Sequence, residues 1–422
     1  MLQDDIVVVG AGQAAVHFAD SMRKLGFDGR LTIIGDETDL PYQRPPLSKE
    51  SLKSLDEAPS ALPLRGPSFF EQKRVILRTP HRAVRIARDR HDVELESGEM
   101  IPYAKLVIAT GVRNRRLGVA GEDAVGVHSI RTVDDSRAVW AHLSTARRPV
   151  VIGAGFIGLE FAAAAAHRGL PVTVIASSQA PMRRSLTPHM SQWFRTELAR
   201  RGISVLYGQQ VHSISVDARG NASGVRLLSG EVIEADLVLV AVGVHANDEL
   251  AVSSGLQVDD GIVVDSDLVT SDPDIYALGD CARYPSRHAR RFARLESVQN
   301  ASGHAEHLAA VLAGGGEGTP DGYSEVPWFW SHQGDLKLNI VGIPGPESVT
   351  IVRGDERDGS FSVFAFTEGE LVCVESVNAT GDHMAARRIL TARRLPSMQQ
   401  IADPEFDLKA FSKSESRVAE NH

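Results

Sequence analysis

Apolar positions along the chain gather in short, nearly unbroken runs, and two of these runs open the same device. The first, Ile6–Val9, passes into Gly10-Ala11-Gly12-Gln13-Ala14-Ala15, then a pattern of helical period to Leu25, then a second apolar run, Leu31–Ile34. About 140 residues later, Val150–Ile152 leads into Gly153-Ala154-Gly155-Phe156-Ile157-Gly158, an alanine-rich helix to His167, and the run Val172–Ile175. Apolar strands without alternation are buried on both faces, as in a parallel sheet between helix layers. A glycine turn between strand and helix lets the backbone approach a pyrophosphate held at the helix N-terminus. One such motif is weak evidence; two in the same setting predict two dinucleotide sites.

Further strands are predicted at Leu106–Ala109, Ile203–Leu206, Leu237–Ala241 and Ile262–Val264. Residues 314–322, rich in glycine, read as a linker. Beyond them, strand-like runs at 336–342, 348–353, 360–366 and 371–377 precede a helix near 382–394, the texture of a smaller α+β domain. The polar stretch 412–422 is expected to fray. The fold class is therefore α/β, with two Rossmann-like dinucleotide-binding domains and a smaller α+β C-terminal domain.

Composition narrows the function. The 422 residues suffice for two or three domains, and the net charge of −9 argues against a general nucleic-acid binder. Two cysteines, Cys281 and Cys373, build neither a disulfide framework nor a cluster site. The longest small and apolar stretch, 149–166, is interrupted by Glu160 and three glycines, too early for a membrane span. No basic region precedes an apolar one at the start, so a cytoplasmic protein is expected. His304 and His307 share a helical face without a third ligand, so no metal site is expected. Neither a nucleophile elbow nor a Walker lysine is present.

Asp36 and Glu37 lie about twenty residues past the first glycines, where an acid binds a ribose hydroxyl. A later apolar strand, in Thr270-Ser271-Asp272-Pro273-Asp274-Ile275-Tyr276-Ala277-Leu278-Gly279-Asp280, ends in Gly-Asp. Such an aspartate can accept from ribityl hydroxyls while the glycine admits the backbone.

These pieces, with Leu40–Lys49 (Leu-Pro-Tyr-Gln-Arg-Pro-Pro-Leu-Ser-Lys), Val107–Gly111, Gly153–Glu160, Glu296–Ala301 (Glu-Ser-Val-Gln-Asn-Ala) and Trp328–Ser331 (Trp-Phe-Trp-Ser), carry a resemblance from residue 6 to about 380. The chain resembles the FAD-dependent ferredoxin reductases of bacterial oxygenase systems, the family of putidaredoxin reductase and biphenyl dioxygenase reductase, with a glutathione-reductase-like fold. The resemblance implies a discontinuous FAD domain of 1–112 and 246–322, an inserted NAD(P)H domain of 113–245, and a C-terminal interface domain of 323–422.

It also implies site residues. FAD contacts fall on Gly10, Gly12, Ala14 and Ala15, on Asp36, Glu37, Arg44, Pro45 and Lys49, and on Val84, Ala109, Thr110, Gly111 and Arg131. The later half adds Gly279, Asp280, Glu296, Ser297, Val298 and Trp330. NAD(P)H contacts fall on Gly153, Gly155, Phe156, Ile157, Gly158, Glu160, Ser177, Arg183, Arg184 and Gly243. Lys49 and Glu160 resemble the family's pair beside the reacting end of the flavin, and Trp330 the tryptophan on the side where electrons leave. A helix starting near Glu296 would aim its N-terminal amides at the flavin's pyrimidine edge. Alone, each charge reads as a solvated side chain and Trp328 as core.

Disulfide reductases of this fold carry a cysteine pair in the loop after the first βαβ unit, and its peroxidases or oxidases carry one. Residues 38–52 contain none. Electrons must leave the flavin directly, and a [2Fe-2S] ferredoxin is the expected acceptor. Ferredoxins are typically acidic, so a basic landing site is needed. Residues 282–295 hold Arg283, Arg287, Arg290, Arg291 and Arg294 and no acid, and Arg387, Arg388, Arg393 and Arg394 form a second cluster.

Two departures stand out. Ala176 occupies the position where NADH-preferring relatives place an acid, with Arg183 and Arg184 following, so NADH is only narrowly favoured over NADPH. Ala246 replaces a common proline before Asn247. The rival readings are a cysteine-less NADH oxidase and an NADH-sensing interaction flavoprotein resembling apoptosis-inducing factor. The expected state is a monomer, with a haem-thiolate monooxygenase downstream.

Overall fold

The computed structural model describes residues 5–54, 56–314 and 321–414. Most of the linker expected at 314–322 and of the polar tail at 412–422 lies outside these described residues. The chain divides into two compact units: residues 1–44, 61–113 and 244–325, and residues 45–60, 114–243 and 326–422.

In the first unit, five parallel strands run in the order Ile275–Ala277, Lys105–Ile108, Ile6–Val9, Leu31–Ile34 and Val75–Arg78. All four residues of Ile6–Val9 are buried, and so are all four of Leu31–Ile34. This burial on both faces is why their sequence shows no polar alternation. Helix Gln13–Lys24 packs its buried face, including Ala15, Phe18, Ala19 and Met22, into the same core as Ala301, Ala305 and Leu308 of helix Val298–Ala313. The small alanines let two helices approach closely where the glycine turns emerge.

The second unit repeats the scheme. Its parallel sheet runs Ser204–Tyr207, Thr173–Ala176, Pro149–Ile152, Leu237–Val240 and Val127–His128. Beside it stands an antiparallel sheet in the order Trp328–Gln333, Leu336–Gly342, Glu370–Val377, Ser360–Thr367 and Val349–Asp355, with helix Thr380–Thr391 packed on it. Phe361 of that sheet meets Trp193 of helix Pro188–Arg200 at 4.9 Å between ring centroids.

The helix after this sheet covers 380–391 rather than the expected 382–394, because the chain turns at Arg393, whose φ is +51°, and two short helices, Met398–Ala402 and Leu408–Lys413, follow it. Two small antiparallel sheets, spanning 83–102 and 211–234, have no counterpart among the predicted strands. Their strands interrupt the buried residues with exposed charged ones, such as Arg85 and Arg226, which leaves no long apolar run to notice. The arginine-rich stretch forms an antiparallel hairpin, Ala282–Ser286 against Arg291–Ala293.

Candidate active site

The first nucleotide cradle is set by backbone geometry. Gly10 has φ +111°, and a Cβ there would lie 2.2 Å from the Ala109 carbonyl oxygen. At Gly12 an added Cβ would meet nothing within 4 Å, so the turn presents open space in front of the helix. Helix Gln13–Lys24 starts without a side-chain cap and without an acid in its first turn. Its leading amides are thus left for an anion such as a pyrophosphate. Ala15, fully buried, permits close packing under the turn. Thr110 donates to the Asn247 carbonyl at 2.6 Å and Asn247 Nδ2 donates to the Thr110 carbonyl at 2.9 Å, which pins Ala109-Thr110-Gly111.

The structure separates the two acids predicted for the ribose. Glu37 accepts from Arg44 at 2.5 Å and from the Tyr42 hydroxyl, so both its oxygens are engaged. Asp36, just past the end of its strand, is exposed. Gly279 (φ +75°) lies against Ala14, with an added Cβ 3.1 Å from the alanine methyl, and Asp280 follows it. Ser297 caps helix Val298–Ala313 by accepting from the Asn300 amide at 3.0 Å, while Glu296 pairs with Arg294 at 2.7 Å. Val84 is 43% exposed on strand Ala83–Ala87.

The second unit holds a second cradle. Gly153 has φ +115°, with an added Cβ 2.2 Å from the Ala241 oxygen, and Gly155 again faces open space. Gly158 tucks its helix against the turn, since a Cβ there would sit 2.2 Å from the Gly153 oxygen. Helix Phe156–His167 is likewise uncapped and free of acids in its first turn. Phe156 stacks edge-on against Phe329 at 4.8 Å, and Ile157 is 41% exposed.

Glu160 follows in the same helix and is 3% exposed. Its Oε1 lies 3.1 Å from Lys49 Nζ, and the lysine, 7% exposed, also reaches the Pro45 carbonyl at 3.3 Å. Ser48 donates to Oε2 at 2.5 Å and Ser331 to Oε1 at 2.6 Å. A buried charge pair offsets its desolvation only when its remaining hydrogen-bonding positions are filled. Here two hydroxyls, from the 45–60 segment and from strand Trp328–Gln333, fill them. Neither serine was singled out from the sequence, although both lie inside motifs that were.

Comparison with known proteins decides the family. Residues 4–305 match the model for pyridine nucleotide-disulphide oxidoreductases, and residues 328–412 match that for the reductase C-terminal domain. The chain is 46% identical to rhodocoxin reductase of Rhodococcus erythropolis over 96% of its length and 93% of that protein's. It superposes with a TM-score of 0.92 on the ferredoxin reductase for the CYP199A2 system from Rhodopseudomonas palustris, at 41% identity, covering 97% and 100% of the two chains. The score is also 0.92 against the reductase in the covalent putidaredoxin reductase–putidaredoxin complex, at 34% identity, covering 97% and 98%. The chain belongs to the pyridine nucleotide-disulphide oxidoreductases. Within them it is a ferredoxin reductase, using FAD and a nicotinamide dinucleotide.

The remaining features of the reductase follow from its geometry. Both thiols are fully buried, and burial pushes each above its ordinary range, so neither is a ready nucleophile. Among the described residues no group of His, Cys, Asp and Glu could hold a metal ion. His307 pairs with Asp267 at 3.0 Å, and His304 accepts from the Gly279 amide. No helix among the described residues is long and apolar enough to cross a membrane.

At the nicotinamide site, Ala176 is buried at its strand end and Ser177 is exposed. Arg183 and Arg184 are exposed, and Arg184 Nη2 comes within 3.7 Å of where a Cβ on Gly243 would lie. Arg131 donates its amide to Asp135 at 2.9 Å, at the start of the capped helix Val133–Leu143. Trp330 lies 5.7 Å from Trp328, and the Arg387 guanidinium sits 4.1 Å over the Trp328 ring. Trp328 packs against the core of the C-terminal sheet, as expected. The arginine hairpin is acid-free only along its own segment, 282–295. Asp259 pairs with Arg283 at 2.7 Å, Asp321 with Arg287 at 3.4 Å, and Asp260 with Arg294 at 3.4 Å.

Proposed function

We propose that the reductase takes a hydride from NAD(P)H, NADH being favoured, and delivers electrons singly to a [2Fe-2S] ferredoxin feeding an oxygenase. Bound FAD supplies the conversion between two-electron and one-electron chemistry. One observation carries this reading. The loop that holds redox thiols in disulfide reductases of this fold instead presents a lysine locked to a buried glutamate. Glu160, on the helix of the second cradle, fixes Lys49, a cation that would steady negative charge developing on bound FAD. Ser48 and Ser331 keep the carboxylate in one orientation.

The first unit is read as holding most of the FAD domain 1–112 and 246–322, and the second as holding most of the NAD(P)H module 113–245 and of the interface domain 323–422. The reductase works as a monomer in the cytoplasm. The pieces at 296–301 and 328–331, which resemble putidaredoxin reductase, favour a haem-thiolate monooxygenase downstream. Trp330 marks the exit for electrons.

The arginine hairpin is proposed as the main ferredoxin landing site. Exposed Arg290 and Arg291 stand at its turn, beside Phe292, which is 43% exposed, around a shallow depression of about 370 Å³. An apolar centre rimmed by cations suits an acidic protein partner. Arg387 and Arg388 form the second, weaker candidate. Replacing both Arg290 and Arg291 with glutamate is expected to lower ferredoxin-dependent turnover about tenfold or more at low salt. Ferricyanide reduction should be unchanged, and an equal fall in both activities defeats the proposal.

The coenzyme preference is expected to be shallow. With no carboxylate at Ala176 to repel a 2′-phosphate, and two exposed arginines nearby, kcat/KM for NADH should exceed that for NADPH by less than about tenfold. Measuring both values checks this, and a ratio below unity reverses the assignment.

A further inference from the structure

His304 is fully buried in helix Val298–Ala313, and the reaction described above does not use it. Its Nδ1 accepts from the backbone N–H of Gly279 at 3.2 Å, which places the ring's own proton on Nε2. Tyr284 and Tyr323 meet the imidazole edge-on, at 4.6 and 4.4 Å between ring centroids. Both tyrosine hydroxyls donate to Asn300 Oδ1, at 3.1 and 3.4 Å, so the cage around the ring is itself held in place. Burial, with a smaller contribution from His307, pushes the imidazole down to about 3. It therefore stays a neutral acceptor through the physiological range.

The group it holds is unusual. Gly279 has φ +75°, and Asp280, the residue after it, is the one assigned to the ribityl hydroxyls. Glycine is the backbone position with the greatest freedom to rotate. Its neighbour Leu278 is fixed by donating to the Ile108 carbonyl at 3.0 Å and the Asp280 carbonyl accepts from Arg294 Nη1 at 3.2 Å, so the Gly279 N–H is the group between these two anchors whose restraint decides whether the peptide can pivot. An acceptor aimed at that N–H stops the pivot, and with it the swing of Asp280. We propose that His304 is a positioning residue for FAD: as a hydrogen-bond acceptor for Gly279 it holds Asp280 in its binding orientation.

The proposal rests on the reading of Asp280 as an FAD ligand, and the test separates the two. FAD binding to apoprotein is followed by quenching of flavin fluorescence, and apoprotein Tm is recorded alongside. His304→Phe keeps an aromatic ring in the cage but leaves the Gly279 N–H unpaired. His304→Asn keeps an acceptor, Oδ1, where Nδ1 stood, but leaves part of the cage empty. Kd for FAD is expected to rise about tenfold in His304→Phe and to stay within about threefold in His304→Asn, although His304→Asn has the lower Tm. A packing role alone would give the reverse order of affinities. Wild-type affinity in His304→Phe, or equal loss in both variants, overturns the proposal while Asp280→Ala still weakens FAD binding. Unchanged affinity in Asp280→Ala overturns the reading of the turn and the His304 proposal with it.

Discussion

Replacing Lys49 with methionine is expected to slow reduction of the enzyme by NADH about a hundredfold. Methionine matches the length of the lysine stem, so the change removes a cation without opening a large gap. Glu160 then keeps its two serine donors but loses its counter-charge in a place with 3% exposure. Breaking a buried ion pair by deleting one member costs about 3–5 kcal/mol. The two hydroxyls already satisfy part of the carboxylate, so the loss of stability should fall at the lower end of that range. Both effects are read on one preparation, by stopped-flow reduction at saturating NADH and by thermal unfolding. A reduction rate within threefold of wild type removes Lys49 from the chemistry and leaves it a structural ion pair. Normal reduction with lowered stability would then locate the redox role elsewhere.

The second large effect is on stability against pH, and it comes from Glu375. This residue is fully buried in the middle of the C-terminal sheet, flanked across the strands by Ile340 and Val363. Its two oxygens accept from the amide and hydroxyl of Thr187, at 2.7 and 2.6 Å. Thr187 is the cap of helix Pro188–Arg200, so a single carboxyl group ties that helix to the sheet. Burial raises the carboxyl from 4.5 to about 7, against the opposing pull of the two Thr187 donors. The folded state then holds a proton that the unfolded chain releases. The stabilisation is complete below about pH 4.5, declines between pH 4.5 and 7, and is lost above pH 7.

The amount at stake is on the order of 3 kcal/mol. Glu375→Gln makes the same two contacts without titrating, with its carbonyl accepting and its amide donating. The unfolding free energy of Glu375→Gln relative to wild type should therefore climb by about that amount between pH 4.5 and 8. Parallel curves for the two proteins would show that Glu375 does not change its protonation with folding.

The parts of this fold that could be read from sequence were those whose burial is uniform. Ile6–Val9 and Val150–Ile152 stand out because both faces are covered, and the glycine turns stand out because an added Cβ at Gly10 or Gly153 has nowhere to go. The strand Val211–Val216 gives no such signal because it contains only one buried residue, Ile214. Glu375 had a visible signal, a lone acid in the apolar run 371–377, and Thr187-Pro188 is a familiar helix start. What no local pattern could supply was their pairing.

The same holds at the candidate site. Positions 48, 160 and 331 come together only through the path of the chain, so Ser48 and Ser331 had no reason to be singled out. The spacing of His304 to His307 is visible in the sequence, whereas the Gly279 amide that His304 accepts from is brought to it only by the fold. The arginine stretch taught the opposite lesson. It looked uncompensated along the chain, yet Asp259, Asp260 and Asp321 reach it from other segments.

The burial of the two thiols has a consequence for control as well as for chemistry. A protonated thiol with no exposed surface reacts slowly with peroxide, because the thiolate is the species that is oxidised. Neither Cys281 nor Cys373 can then serve as a sulfenic-acid switch, and neither is offered to glutathione. Control by oxidation of the enzyme's own cysteines is therefore not built into either position.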